Sequence, residues 1–456
     1  MKSKIKNLNF LYIQYIILVP IIFRAVTKLD FSVLSLDSLF PIALSIQIFS
    51  FILFTSIGFN LAFNLSISNS LSFVLFFLFN FFISSIFAIF KIRISFGLLV
   101  ILSLICFNLF FLIKSENKIF KIIQIANLLI ITGINLQNNF IQTFTYSRSE
   151  RAGDVYNYLV PNIEKIFYFN IHEIFLNPVN DNGFFHINYS IFGNFYFAFL
   201  NKTMNLFNDF VLLKFIPYTL FFLSILFIFD LKLKRSHKIN LIFLHISIIV
   251  INDWIRYQFV DSYLLEGITS LFFAIIFFGM NQYDDHSFQK NAFVYLLLGF
   301  FTFSKFFVNL LLIYIVLFKK SSNKLSKIYY LIGSLNFIYF LIVYPPRSSR
   351  PFEISTNYSN FKNILLYWYE DKLLLYVIFV TVVVTILKLF VFNKLERFEI
   401  DIIILNLGNL MLIFILYIFI WSTGIEYDSS YRYFLQNYYI NISLLIFLTQ
   451  KNKITK

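Results

Sequence analysis

Asp154 is the first residue of this chain whose setting could support acid–base chemistry. It lies in the stretch 149–166, which reads SERAGDVYNYLVPNIEKI and separates long apolar runs. Tyr158 follows it, and tyrosine favours the interface between membrane and water. A carboxylate at the edge of a low-dielectric region has a raised proton affinity and can act as a general base. An ion pair with Arg151 or Lys165 is the alternative interpretation.

Two further acids, Asp261 and Glu266, stand at the start of another apolar run, DSYLLEGITSLFFAII. Glu266 lies about one helical turn inside the apolar boundary, on nearly the same helix face as Ser262. An acid at the centre of a membrane span costs about 2.5–3.5 kcal/mol, so its presence there indicates a functional role. The alternative is that both acids stabilise a helix N-terminus through the helix dipole.

Four cations could bind phosphate. Lys305 lies among apolar residues in LGFFTFSKFFVNLL, Arg347 and Arg350 lie in YPPRSSRPF, and Arg432 lies in DSSYRYF. Arginine binds phosphate through two parallel N–H donors. Contact with lipid headgroups is the alternative for the arginines, and a lysine that extends to the membrane interface is the alternative for Lys305.

The composition places these residues in a membrane protein. The chain has 456 residues, of which 59% are hydrophobic and 13% charged, whereas a soluble domain has about 45–50% and 25%. Apolar runs of about 20 residues, the length that crosses a bilayer core of about 30 Å, recur along the chain. The net charge of +14 fits basic cytoplasmic loops and gives no evidence for nucleic acid. The single cysteine, Cys106, excludes an intrachain disulfide.

The fold class that follows is all-α, a polytopic transmembrane bundle of about 12–14 segments. The predicted spans are 8–24, 38–57, 71–90, 94–113, 121–140, 211–231, 239–255, 262–280, 291–318, 326–344, 373–392, 400–421 and 434–449. Lysines at both termini and in short loops predict that both termini are cytoplasmic. The first span resembles an uncleaved signal sequence. A bacterial inner membrane is the expected location.

The outer face then receives the loops 141–210, 256–261, 345–372 and 422–433, which favours a shared site there. The assignment of these loops to the outer face depends on how two segments are placed. The segment 186–200 is predicted to be an interfacial helix on the outer surface, because a crossing there would turn the basic loop 232–238 outward. The segment 291–318 is predicted to bend near Ser304 and Lys305, which keeps the following lysines inside.

The stretch Asp154-Val155-Tyr156-Asn157-Tyr158-Leu159-Val160-Pro161 resembles the D-x-x-x-Y-H-x-P signature of the C-type membrane glycosyltransferases, the GT-C superfamily. Asp261 with its apolar run is similar to the family's second outer-loop acid and the span after it. Gly299 to Lys305 is similar to its G-x-x-x-x-T-K bend, and Tyr431-Arg432-Tyr433 to its late R-Y element. Leu159 replaces the family histidine, and Ser190 replaces a proline expected after Asn188-Tyr189.

This resemblance covers residues 120–456 and implies two domains: an N-terminal transmembrane extension, 1–119, and a catalytic module, 120–456. It implies a polyprenyl-phosphate-linked sugar as donor and a glycan, lipid or protein as acceptor at the outer face. Asp154 would be catalytic, and the substrate-binding residues would be Tyr158, Asp261, Glu266, Lys305, Arg347 and Arg432. A divalent metal is compatible with this site, and membrane lipids are expected partners.

Two other functions fit a chain of this class. A surface-polysaccharide polymerase also uses many spans and a large outer loop, but it joins preformed repeat units. A lipid or glycan transporter predicts inverted repeats and charges along a midplane path. The sequence shows no internal repeat, and its ionisable residues gather at the predicted outer edge.

Overall fold

The computed structural model describes residues 36–136, 191–204, 216–251, 265–282, 292–301 and 324–343, together with residues 166, 206, 366, 400 and 411. These residues are helical apart from short turns, and no strand forms among them. The helices are α1 Leu36–Ala62, α2 Asn69–Ile89, α3 Phe96–Lys114, α4 Lys118–Leu136, α5 Ile191–Met204, α6 Ile216–Asp230, α7 Arg235–Ile251, α8 Leu265–Gln282, α9 Ala292–Phe301 and α10 Lys324–Val343.

Three of these helices are long and apolar enough to cross a membrane: Ala43–Ala62 within α1, Asn69–Ile89 and Phe96–Lys114. They confirm long apolar helices at the predicted spans 38–57, 71–90 and 94–113. Helices α4 and α6 to α10 each overlap a predicted span. The predicted spans 8–24, 373–392 and 434–449 lie outside the described residues, as does nearly all of 400–421.

Helices α1 and α2 both end in a residue with a left-handed backbone, Asn64 with φ 51° and Lys91 with φ 55°. In α2 the N–H of Ile92 donates to the Phe87 carbonyl at 2.8 Å, and that of Lys91 donates to the Ala88 carbonyl at 3.1 Å. This is the Schellman arrangement that satisfies the last helical carbonyls. It lets the short turn 90–95 reverse the chain, and the Ser95 side chain then caps α3 by accepting from the Leu98 N–H.

Helices α1, α2 and α3 pack side by side, so their bundle has two ends. We call the end that holds residues 62–70 the Ser70 end, and the end that holds the turn 90–95 the Phe90 end. Helix α2 runs from the Ser70 end to the Phe90 end, and α3 runs back. The Ser103 hydroxyl of α3 donates to Asn80 Oδ1 of α2 at 2.6 Å, midway along both helices.

Phenylalanine rings fill the core between α1, α2 and α3. Phe59 is fully buried, and its ring centroid lies 5.9 Å from that of Phe76 and 5.3 Å from that of Phe107. The Phe59–Phe107 contact is edge-to-face, and such a pair adds about 0.5–1.5 kcal/mol beyond the burial of area. Gly58 allows the close approach, since a Cβ there would collide with the Phe107 backbone carbonyl.

A buried polar cluster joins α4 to α1 and α3. Gln124 is fully buried, and its Nε2 donates to Asn108 Oδ1 at 2.6 Å and to Thr55 Oγ1 at 3.2 Å. Thr55 in turn donates to the Phe51 carbonyl at 2.8 Å. Gln124 therefore fixes the register of three helices, because an amide left without partners in an apolar setting is costly.

Helix α5 covers most of the segment 186–200 that is predicted to be an interfacial helix, and it is more buried than that prediction expects; its position relative to the membrane stays a prediction. Its described side chains, residues 195–204, are all buried. The Phe195 ring lies 4.7 Å from that of Phe96 and 5.0 Å from that of Phe81, and Phe199 packs 5.6 Å from Phe77. A helix on the outer surface would expose one side. Helix α5 instead inserts among the other helices, because its phenylalanines find aromatic partners on α2 and α3.

Positive charge is concentrated at one end of the described helices. The Ser70 end holds Lys114, Lys118, Lys121, Lys232, Lys234, Arg235 and Lys238. The Phe90 end holds Lys91 and Arg93 in the turn between α2 and α3, and the buried Lys202 of α5 lies near it, beside Gly97. The last residue of α6, Asp230, lies at the Ser70 end, because its carboxylate accepts from the Ser70 N–H at 2.6 Å. The basic turn after Asp230 and the basic turn after α3 therefore lie at the same end, as the loop charges predict.

The predicted boundary at residue 120 stays a prediction. Helices from both sides of it are in contact, since α2 packs against α6, α8 and α9. The short helix α9 meets α10 at two glycines. A Cβ on Gly299 would lie 2.9 Å from Gly333 Cα and would collide with the Tyr330 carbonyl. This packing is available only to residues without a side chain.

Candidate functional site

The predicted site residues fall mostly outside the described part of the chain. Glu266 lies inside it, as the second residue of α8. The others lie outside the described residues, so their roles and convergence stay predictions: Asp154, Tyr158, Asp261, Lys305, Arg347 and Arg432. The bend predicted near Ser304 lies outside as well, just beyond the last described residue of α9.

The position of Glu266 follows from the packing of α8. A Cβ on Gly279, near the end of α8, would lie 2.9 Å from Leu71 Cδ2, which places Gly279 at the Ser70 end. Phe272 packs 5.9 Å from Phe77, farther along α2. Helix α8 therefore runs antiparallel to α2. Glu266 precedes Gly279 by thirteen residues, about 20 Å of helix, so its backbone lies in the half nearer the Phe90 end.

Two buried hydroxyls follow Glu266 on α8. Thr269 and Ser270 are fully buried, and neither hydroxyl has a hydrogen-bond partner in the described structure. Thr203 of α5, by contrast, turns its hydroxyl back to the Phe199 carbonyl at 2.8 Å. Thr269 and Ser270 stand three and four positions after Glu266, which places all three on one side of the helix. This side offers hydrogen-bond donors to an oxygen-rich group.

Tyr196 of α5 lies next to this part of α8. Its ring stands edge-on to Phe272 at 5.3 Å and to Phe77 at 5.4 Å. Its hydroxyl lies beside Thr219 of α6. Tyr196 and Thr219 thus bring a polar group from α5 and one from α6 into an otherwise aromatic region beside α8.

Lys202 of α5 is a buried cation that the sequence reading missed. Only 8% of its surface is exposed, and its alkyl stem crosses Gly97 at the start of α3. A Cβ on Gly97 would lie 3.2 Å from Lys202 Cε and 3.4 Å from Cδ. Glycine therefore makes room for the stem near the Phe90 end. The signal in the sequence is a lysine two residues after the apolar run FYFAFL.

A buried serine–histidine pair joins α6 to α7. Ser224 Oγ lies 2.9 Å from His245 Nε2, and the Ser224 hydroxyl also donates to the Phe221 carbonyl at 2.6 Å. The imidazole stacks on the Phe221 ring at 6.0 Å. Both polar side chains are at most 1% exposed, so a substrate has no access to this hydroxyl. The pair links two helices and is no nucleophile–base pair.

Metal ligands do not cluster in the described residues, where no group of three histidine, cysteine, aspartate or glutamate side chains is close enough to hold an ion. The predicted site acids Asp154 and Asp261 lie outside that part of the chain.

Comparison of this chain with protein-family models, with curated proteins and with solved structures finds no match.

Proposed function

We propose that this chain is a polytopic membrane glycosyltransferase of the GT-C type. It transfers a sugar from a polyprenyl-phosphate donor to a glycan, lipid or protein acceptor at the outer face of the cell membrane. Both termini face the cytoplasm. The observation that carries the proposal is the order of four sequence elements: Asp154 with its tyrosines, Asp261 with its apolar run, the Ser304-Lys305 element and the Tyr431-Arg432-Tyr433 element.

The distribution of charge supports the proposed orientation. Lysine and arginine in short loops favour the cytoplasmic side, and the Ser70 end holds most of the described cations. With the Ser70 end in the cytoplasm, the half of α8 that carries Glu266 lies toward the outer face. Thr269 and Ser270, with buried unpartnered hydroxyls, then lie in the same outer half as the proposed site.

The proposed reaction is a displacement at the anomeric carbon. Asp154 accepts the proton of the acceptor hydroxyl, whose oxygen forms the new bond to the anomeric carbon. The bond between that carbon and the lipid phosphate breaks, and the phosphate oxygen takes its electron pair. Lys305, Arg347 and Arg432 stabilise the charge that develops on this leaving group. Tyr158, Asp261 and Glu266 hold sugar or acceptor hydroxyls.

The test is complementation of a gene deletion in the native host. Wild type, Asp154→Asn and the matched control Glu150→Gln, an acid in the same loop, are each returned. Envelope glycans and polyprenyl-phosphate sugars are then analysed by mass spectrometry. We expect the deletion to lose one sugar unit and accumulate its lipid donor, and we expect wild type and Glu150→Gln to restore the glycan.

Asp154→Asn is expected to leave the defect in place. Full rescue by this variant would remove Asp154 from the mechanism. Shortened chains of intact repeat units in the deletion strain would identify a polymerase and overturn the transferase proposal.

A further inference from the structure

Helix α7 presents an exposed cation followed by an exposed apolar stripe. Arg235 is exposed in its first turn. Ile239, Phe243 and Ile246 follow at spacings of four, eight and eleven residues, with 41%, 53% and 37% of their surfaces exposed. These spacings place all four side chains along one side of the helix. Lys234, directly before the helix, is exposed as well.

Helices α4 and α10 repeat the pattern. On α4 the exposed Lys118 is followed by Ile122, Ile125 and Leu129, which are 66%, 45% and 66% exposed. On α10 the exposed Lys324 is followed by Ile328, Leu331 and Leu335, which are 52%, 41% and 58% exposed. In all three helices an exposed cation heads a stripe about 15 Å long, given a rise of 1.5 Å per residue.

Helix stability does not explain these cations. A positive side chain in the first turn opposes the helix dipole, which favours acids there. The charged groups near the start of α7 already have hydrogen-bond partners. Asp230 accepts from the Ser70 N–H, and the Lys238 ammonium donates to the Phe229 carbonyl. Lys234 and Arg235 extend outward from this arrangement, at the border between the charged turn and the apolar stripe.

A surface with cations at one end and a long apolar stripe below them is complementary to a phospholipid. An anionic headgroup matches the cations, and an acyl chain matches the stripe. We propose that α7 and α4 each bind an anionic phospholipid at the Ser70 end, with its phosphate at Lys234 and Arg235 on α7 and at Lys118 on α4. This inference is independent of the proposed transferase activity.

Native mass spectrometry of the purified, delipidated protein in detergent tests this. Phosphatidylglycerol and phosphatidylcholine with identical acyl chains are titrated in parallel. Wild type is expected to bind phosphatidylglycerol more tightly. Lys234→Gln/Arg235→Gln and Lys118→Gln are each expected to weaken that binding about fivefold per charge removed. The matched control, Lys91→Gln/Arg93→Gln, removes two charges at the Phe90 end and is expected to bind as wild type does.

A second variant tests the contribution of the apolar stripe to binding separately from that of the cations. Phe243→Ser keeps every cation, and it is expected to weaken the binding of both lipids, because it removes exposed apolar area that would contact the acyl chain. Equal binding of the two lipids by wild type would overturn the proposal. So would equal losses in the Ser70-end variants and the Phe90-end control, since this would indicate non-specific attraction to positive charge.

Discussion

The backbone N–H of Ser70 donates to the Asp230 carboxylate at 2.6 Å, across 160 residues of sequence. Ser70 is the second residue of α2, so its N–H is one of the four that a helix start leaves without an internal partner. Asp230 is the last residue of α6. Its negative charge lies where the dipole of α2 favours an acid, and this contact fixes the two helices at the same end of the packing.

Asp230→Ala is expected to lower the free energy of unfolding by about 1.5–3 kcal/mol, the range for hydrogen bonds to charged groups. The physical reason is the loss of both the acceptor for the Ser70 N–H and the favourable charge at the start of α2. Thermal unfolding of the purified protein in detergent measures the effect. Ser68→Ala removes the side-chain cap on the Leu71 N–H and provides a comparison, with an expected loss of about 1 kcal/mol. An unchanged melting temperature for Asp230→Ala would show that the contact contributes nothing.

Gly58→Ala is expected to destabilise the protein by about 1–3 kcal/mol, the usual cost of overpacking. Its new Cβ would meet the Phe107 carbonyl, which is backbone and cannot rotate away. Gly133→Ala is the matched control, since a Cβ on Gly133 meets nothing within 4 Å. That substitution should stabilise α4 by about 0.5–1 kcal/mol, because alanine favours helix more than glycine does. Chemical or thermal unfolding that ranks the two variants in the opposite order would contradict this packing.

Cys106 provides a test of the crossing by α3. It is exposed on the helix surface, near Leu102, Ile105 and Leu109, which are 48–53% exposed. In native membranes we expect it to react with a lipid-soluble maleimide and not with a charged thiol reagent. Reaction with the charged reagent in sealed vesicles would place this surface in water.

The same cysteine allows the orientation to be measured. In a Cys106→Ser background, Ile92→Cys and Glu116→Cys introduce thiols at the Phe90 and Ser70 ends, at two exposed positions. The proposed orientation predicts that a charged reagent labels the first only in right-side-out vesicles and the second only in inside-out vesicles. The reverse result would invert the orientation and remove the outer-face site.

His237, in the first turn of α7 and just before the predicted span 239–255, is expected to make stability depend on pH. Burial, together with the neighbouring charge of Lys234, holds the pKa of His237 below its ordinary value. The unfolded chain therefore binds this proton more readily. Its contribution to stability is fully present above pH of about 6.5, the unperturbed histidine value, and is lost as the pH falls below that value. His237→Asn should reduce the drop in melting temperature between pH 7.5 and 5.5, and an equal drop in both proteins would contradict the assignment.

The sequence predicted the helices better than their contacts. Apolar runs locate α1, α2 and α3 because their length and composition are local properties. The burial of α5, in contrast, does not follow from its local sequence. Asn188, Tyr189, Gly193 and Asn194 gave 186–200 an interfacial character, yet the neighbouring phenylalanines pack against Phe81 and Phe96. Partners more than ninety residues away decided its burial, and no periodicity within α5 encodes them.

In the candidate site, too, the position of a residue along a helix is predictable from the sequence, whereas its contacts with other helices are not. The position of Glu266 near the start of a helix follows from the apolar run that comes after it. The burial of Lys202 depends on Gly97, and the burial of His245 depends on Ser224, which lie on other helices. Pairings of this kind arise from the way whole helices meet. A single sequence contains the residues but not their pairing.

The polar cluster around Gln124 has a consequence for biosynthesis. Its hydrogen-bond partners, Thr55 and Asn108, both precede it in the chain. A ribosome therefore delivers α1 and α3 to the membrane before α4. When Gln124 leaves the insertion machinery, its acceptors are already in place, so the costly amide can pair at once. The helices that carry the acceptors are thus synthesised before the helix that carries the donor, Gln124.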